Sequence, residues 1–322
     1  MKTPSILRAR VPLYLAVFAT ILAFVGGGLA QWSGVLATYL KPAGAYLLGR
    51  KDGCSLSSAY WPLKLSRALT SVRNVSTIVN KTADGLVQWQ TPLGLFWSPE
   101  KTSALFVVAE QIARTYGDGL YRVHAGDVVL DCGANIGTFT REALLAGASR
   151  VVAIEPVPSN VECLRRNFQV EIAAGRVIVV AKGVWHERGH FKMNLYENSA
   201  LDSFVMSTRS EEPDTVAPRS LELPVDSIDA IVRELQLDRV DFIKMDIEGA
   251  ERNAIRGARE TILKFKPRMA LATENLKDDR VAVPEAVHAI DSGYTHVSGP
   301  CSVLGAVGHW ELRPDSLYFS RP

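Results

Sequence analysis

From Gly126 to Gly293, short apolar runs of β-forming residues alternate with amphipathic stretches of helical period. That rhythm leaves few choices of fold. Each strand must be followed by a helix that crosses back over the sheet, which gives an α/β, doubly wound, mostly parallel arrangement. The stretch "VVLDCGANIGTFT" (Val128–Thr140) sets the frame. A strand over Val128–Leu130 ends on an acid, Asp131, enters a glycine-spaced turn and opens a helix expected from Thr138 to Leu145.

The pattern then repeats. "RVVAI" is the second strand, closed by Glu155, and Ser159 with Glu162 has capping-box spacing for the next helix. "RVIVVA" is the third strand. A polar stretch from about Trp185 to Arg219 reads as a long irregular loop of the kind that shapes a substrate pocket. "VDFIKMD" and "PRMALATE" give strands four and five, with one helix over "GAERNAIRGARETILKF" between them and another in "PEAVHAIDSG". "YTHVS" and "SLYFS" are expected to finish the sheet as an antiparallel pair. Upstream, "GLVQWQTPLGLFWSP" reads as a hairpin about a Thr-Pro-Leu-Gly turn, followed by an amphipathic helix ending at Gly117. Trp89, Phe96 and Trp97 of the hairpin either pack it on the body or form a lid over an active-site mouth.

The N-terminal region differs in kind. Val11–Ala30 carries no charge and is about long enough to cross a bilayer as a helix. It is expected to be a membrane anchor; a cleaved signal peptide and the first limb of a membrane hairpin are the alternatives. The expected organisation is a basic flank over 1–10, the transmembrane anchor over 11–30, a juxtamembrane connector over 31–84 and a catalytic domain over 85–322. The basic flank Lys2, Arg8 and Arg10 argues for an inside N-terminus, but Lys41, Arg50 and Lys51 lie on the other side of the run. A net charge of +2 gives no footprint for nucleic acid. Cys54, Cys132, Cys163 and Cys301 have no CxxC or CxC spacing, so no disulfide framework and no zinc site are expected, and a reducing compartment fits. The Asn74-Val-Ser76 and Asn80-Lys-Thr82 tripeptides carry no weight without evidence of secretion.

The turn after the first strand restricts the ligand. A phosphate-binding loop needs a Lys-Ser/Thr pair at the helix start, and none is present. Laid over the dinucleotide pattern, Gly133 matches, but Asn135 and Thr138 replace the second and third glycines and Gly137 is out of register. An Asn side chain takes the space of a pyrophosphate and offers amide hydrogen bonds instead. The turn suits S-adenosylmethionine: Asp131 for its cationic end, Gly133 and Gly137 for close approach, Glu155 for ribose hydroxyls and Pro156 for an apolar wall against adenine.

With "VVAIEPVPSNVECLRRNF" and "LPVDSIDAIVRELQLDRVDFIKMDIEGAERNAIRGARETI", the chain resembles the FkbM family of S-adenosylmethionine-dependent methyltransferases from about Gly126 to Gly293. The family's Lys-x-Asp-x-Glu-Gly-Ala-Glu motif stands here as Lys244, Asp246, Glu248, Gly249, Ala250 and Glu251. The resemblance implies a Rossmann-like class I methyltransferase fold and, most commonly, O-methylation. Cys132, where the family often has Val or Ile, and Asn275, where a His is often nearby, depart from the pattern.

By strand alternation Lys244, Asp246 and Glu248 share one side of the fourth strand. They form either a structural ion-pair set or the catalytic group. In the catalytic reading Asp246 positions the acceptor, Asp246 or Glu248 takes its proton, and Lys244 sets their ionisation or acts itself. A metal held by Asp246, Glu248 and Glu274 is a less favoured variant. The expected partner is a small-molecule, sugar or lipid-linked acceptor, met from a membrane-anchored, cytoplasmic catalytic domain. An NAD-type oxidoreductase and a non-catalytic membrane protein are the competing functions.

Overall fold

The computed structural model describes residues 40–195, 205–206, 219–304 and 310–322. The expected anchor, Val11–Ala30, lies outside these residues; among the described residues no helix is long and apolar enough to cross a membrane. Helices α1 (40–47), α2 (Leu56–Ala59) and α3 (Trp61–Val75) lead into an antiparallel sheet of β1 (Thr77–Lys81), β2 (Leu86–Thr91) and β3 (Gly94–Pro99). β2 and β3 are the expected hairpin, and β1 extends it to three strands. Its aromatics pack rather than cover a mouth. Phe96 is fully buried, and Trp89 and Trp97 lie against the same core.

After α4 (Ala104–Ala113) the alternation begins: β4 (Val128–Cys132), α5 (Thr138–Leu145), β5 (Arg150–Ile154), α6 (Pro158–Asn167), α7 (Gln169–Ala173) and β6 (Val177–Val180). Then come β7 (Gly183–Trp185), β8 (Gly189–Leu195), β9 (Val205–Met206), β10 (Arg219–Ser227), α8 (Ile228–Glu234), β11 (Phe242–Met245), α9 (Glu251–Arg256), α10 (Arg259–Phe265), β12 (Arg268–Ala272) and α11 (Asp279–His288). The chain closes with β13 (Thr295–Ser298), β14 (Cys301–Leu304), β15 (Glu311–Pro314) and β16 (Ser316–Ser320).

The central sheet has seven strands in the order β13-β16-β12-β11-β4-β5-β6. Only β16 runs against the rest, paired antiparallel to both β12 and β13. This is an α/β, Rossmann-like arrangement, mostly parallel as the alternation predicts. β4, β11 and β12 are buried nearly throughout because packed layers cover both faces. One apolar cluster fills each side of the sheet, around Phe139 and Phe242 on one and Ile228 and Ile243 on the other. The connection order reverses between β4 and β11, so their carboxyl ends frame the crevice where such sheets bind ligands.

Four expectations are corrected. The Ser159/Glu162 capping box does not form: α6 starts at Pro158, whose fixed φ suits the first helical turn, and Glu162 instead bonds Arg166 at 2.7 Å. The polar stretch after Trp185 is not irregular where described, because β8, β9 and β10 join β7 in a second sheet. The single helix after β11 is two helices, broken at Gly257, where a Cβ would lie 2.2 Å from the Trp185 carbonyl oxygen. Finally, Cys54 and Cys301 form a disulfide across 247 residues, with Cα atoms 6.3 Å apart. No local spacing could signal a pair that tertiary structure alone brings together. The bond also argues against the reducing compartment.

Candidate active site

β4 and β11 lie side by side with Lys244 opposite Asp131. Lys244 is buried, with Nζ 3.4 Å from Asp131 Oδ1, and it donates to the carbonyl oxygens of Gly133 at 2.7 Å and Cys132 at 3.3 Å. Burial disfavours its charge, but the carboxylates of Asp131 and Asp246 prevail and raise its pKa, so it remains an ammonium. Asp131 Oδ2 accepts from Thr140 Oγ1 at 2.7 Å. Asp131 is wholly enclosed beneath the turn and ties β4, β11 and α5 together. It does not line the crevice, although the sequence placed it against the cofactor.

The turn itself is tightly determined. Gly133 has φ +76°, and a Cβ there would fall 1.9 Å from the Asp246 carbonyl oxygen. Asn135 stands at φ 51° and turns its Oδ1 back to accept from the Ile136 amide at 2.7 Å, which leaves Nδ2 for a ligand. Glu155 accepts from the Asn135 amide and the Val157 amide, each at 2.9 Å, and from Asn160 Nδ2 at 3.4 Å. Burial raises its pKa and these donors oppose the shift. Gly137 packs elsewhere, since a Cβ there would meet the Phe168 ring at 2.3 Å. Gly133, Asn135, Thr138, Glu155 and Pro156 line a narrow cavity; Gly137 does not.

The stretch expected to shape a pocket does line one through Trp185 and Phe191, although the sequence singled out no side chain there, and a second set of lining residues was missed. Trp185, Phe191, Leu223 and Val225 of the second sheet form the apolar side of the narrow cavity, with the Trp185 and Phe191 rings 4.4 Å apart. Glu110, Gln111 and Tyr116 come from α4 and the segment after it. Their signal was present: Glu110-Gln111 interrupts an otherwise apolar helix, and charge on such a face needs a reason. Gln111 is buried, and its Oε1 has no partner among the described residues.

Past the end of β11, Asp246 accepts from the Tyr116 hydroxyl at 2.5 Å. Burial and the Asp246 charge hold that phenol well above its ordinary pKa. Glu248 sits at φ 57°, a left-handed conformation that costs a non-glycine residue energy and that clusters at functional sites. Burial first, and the Asp246 charge second, raise Glu248 to about 7. The same causes raise Glu110 to about 8. Glu251, the last acid of the motif, is fully enclosed and braces the loop, accepting from the Ile247 amide at 2.9 Å and Asn275 Nδ2 at 3.2 Å.

A second, wider cavity of about 940 Å³ opens beyond Asp246. Trp61, Leu65 and Leu69 of α3 face it, as do Glu274 after β12 and Ser302, Arg313 and Asp315 of or beside the β14–β15 hairpin. Burial raises Asp315 to about 7, although Ser302 donates to it. Among the described residues no group of three or more His, Cys, Asp or Glu is arranged to hold a metal ion.

The sequence pattern described as the Methyltransferase FkbM domain matches residues 131–292. Similar solved structures include the methyltransferase FkbM from Methylobacillus flagellatus KT, at 22% identity and a TM-score of 0.45, covering 67% of this chain and 53% of that one. Precorrin-6y C5,15-methyltransferase from Geobacter metallireducens GS-15 follows at 16% identity and a TM-score of 0.33, covering 62% and 80%. An O-methyltransferase from Bacillus cereus in complex with SAH is 11% identical at a TM-score of 0.34, covering 61% and 74%. This chain thus spans about half the length of the Methylobacillus protein. No curated protein sequence matches it. The domain match covers half of the chain, with the Asp131 turn and the motif at Lys244–Glu251 inside it, and the chain belongs to the FkbM methyltransferase family.

Proposed function

We propose that this chain transfers a methyl group from S-adenosylmethionine, held in the narrow cavity, to a hydroxyl of an acceptor in the wide one. One observation carries the reading: the two cavities meet, and Val107, Glu110, Tyr116, Asn135, Asp246 and Glu248 line both. The residues present suit this cofactor. Gly133 admits the Asp246 carbonyl oxygen and so fixes the turn that lines the cavity, Asn135 keeps Nδ2 for a ligand, and Gln111 Oε1 is buried with no donor among the described residues. Glu155 fills about three of its four lone-pair sites and keeps one for a ribose hydroxyl. Pro156, Trp185 and Phe191 offer flat apolar surface to a base. A pyrophosphate fits poorly, because the Asn135, Ile136 and Gly137 amides are already engaged and the Glu155 carboxylate lies beside them.

When bound, the cofactor supplies an activated methyl group on a sulfonium. The chain's task is alignment and proton management. Lys244 remains charged beneath the site, and the Tyr116 hydroxyl fixes the orientation of the Asp246 carboxylate. Asp246 then holds the acceptor hydroxyl, and Glu248, with a pKa near working pH, receives its proton.

The acceptor is a small molecule, sugar or lipid-linked glycan, and nucleic acid is not a partner. Val11–Ala30 tethers the chain to a membrane. We place the catalytic domain on the cytoplasmic side, where the cofactor is made; the Cys54–Cys301 bond favours the opposite side. Calorimetry decides the cofactor. Heat with S-adenosylhomocysteine and none with NADH supports the reading, and the reverse sinks it. Binding without label transfer from methyl-labelled cofactor to any fraction of a membrane extract would favour the non-catalytic alternative.

A further inference from the structure

Charge is distributed very unevenly along this chain. Residues 1–83 contain ten Lys and Arg and a single acid, Asp52, so they carry +9 and the remainder −7 of a total of +2. Exposed apolar residues gather in the same region. Of sixteen exposed large hydrophobic side chains among the described residues, six fall between 40 and 83: Leu47, Leu48, Leu56, Val75, Ile78 and Val79. Leu47 closes α1 with Leu48 just after it, Leu56 opens α2, and Val75, Ile78 and Val79 lie at and after the end of α3. The fifteen residues of α3 span roughly 22 Å, with Lys64, Arg67 and Arg73 exposed along it. Leu47 is 84% exposed.

Large exposed aliphatic groups set among lysines and arginines suit the boundary of an anionic bilayer, where the apolar groups enter the headgroup region and the cations meet lipid charge. The uncharged run Val11–Ala30 ends ten residues before the first described residue. The region is not a loose tether. The disulfide joins Cys54 to Cys301, Arg280 bonds Asp52, and the Leu312 amide donates to the Arg50 carbonyl oxygen at 2.8 Å. Ala45, Ala59 and Leu312 are buried together around that bond. Through these contacts the basic segment is fixed to the β14–β15 hairpin, and both α3 and the hairpin form the wall of the wide cavity.

We propose that residues 40–83 are a docking face for an anionic lipid surface and that the acceptor entering the wide cavity is carried by that lipid. The second half rests on the methyltransferase reading above; the first does not.

The test uses the full chain in bilayer discs of phosphatidylcholine alone and with about 30% phosphatidylglycerol. Hydrogen exchange is followed at residues 44–56 and 73–80. Anionic discs are expected to slow exchange there about tenfold, an effect reversed by roughly 0.5 M salt and abolished in a Leu47→Asp/Leu48→Asp/Lys51→Glu variant that leaves residues 1–39 untouched. Equal exchange in both discs overturns the docking face. So does protection that grows with protein concentration in detergent, which would assign the face to a second copy. Methyl label is then followed from the cofactor into lipid and water phases. Label confined to water-soluble product overturns the lipid-borne acceptor, while S-adenosylhomocysteine calorimetry on the same sample reports separately whether the enzyme reading stands.

Discussion

The two cavities are built on opposite principles. The narrow one is made by neighbours: Gly133, Asn135 and Thr138 lie on one turn, Glu155 and Pro156 close the adjacent strand, and the Glu155 carboxylate binds the backbone of both loops. The wide one is made by distant segments, with Trp61 and Leu65 on one side and Ser302, Arg313 and Asp315 on another, stapled by a bond across 247 residues. Local construction fixes a ligand's shape through strand and turn geometry that few substitutions leave intact. Long-range construction lets the wall change while the sheet stands. On the proposed reading, the contrast means that cofactor and acceptor recognition can fail independently.

The sharpest break should come where the two loops touch. Gly133→Ala would place a Cβ 1.9 Å from the Asp246 carbonyl oxygen at a positive φ. We expect a loss of about 4 kcal/mol or more, or no folded protein, by urea denaturation. A milder result would mean that the β4 and β11 loops are free to part. Next comes Lys244→Met, which leaves buried Asp131 without its cation. About 3–5 kcal/mol should be lost, and Lys244→Met/Asp131→Asn should recover much of it. Strict additivity of the two changes would show that the pair is not coupled.

The same contrast explains what the sequence could tell. The alternation, the turn after β4 and Glu155 were legible because strand and helix periods place neighbouring residues on known sides. The shared side expected for Lys244, Asp246 and Glu248 was not met, because β11 ends at Met245 and Glu248 stands at φ 57° in the loop beyond it. The roles of Asp131 and Gly137 were not legible, because whether a turn residue faces a ligand or the protein depends on packing from elsewhere. For Gly137 that packing is the Phe168 ring. The stretch from Trp185 was legible as pocket-shaping, though not which of its side chains would line the pocket. Asp315 and the Cys54–Cys301 pair were illegible for a related reason. Their partners lie far along the chain, and no periodicity encodes such distances.

The long-range wall is tested by Cys54→Ser/Cys301→Ser. The double variant should lose roughly 2–4 kcal/mol by thermal and urea denaturation. It should raise the acceptor KM while leaving S-adenosylhomocysteine affinity unchanged, because neither Cys54 nor Cys301 lines the narrow cavity. A matching loss of cofactor affinity would dissolve the distinction between the cavities. Maleimide mass shifts on native protein, taken without reductant, also report the compartment. Thiols at Cys54 and Cys301 would place the domain on the reducing side.

The junction of the two cavities gives the smallest effect and the most specific one. Burial and the Asp246 charge raise Glu248 to about 7, so as a base it is mostly protonated at pH 6 and mostly ionised at pH 8. Turnover should therefore climb about tenfold between those values and then level. The sign for stability is opposite. The folded pKa lies above the ordinary 4.5, so the folded state holds the extra proton, and this contribution is complete below 4.5 and lost as pH rises through 7. Turnover and melting temperature should then move in opposite directions across the same window. Glu248→Gln should flatten both profiles and lower kcat without weakening cofactor binding. If the rise in turnover survives in that variant with its midpoint moved towards 8, the proton goes to Glu110, which also lines both cavities and is raised to about 8.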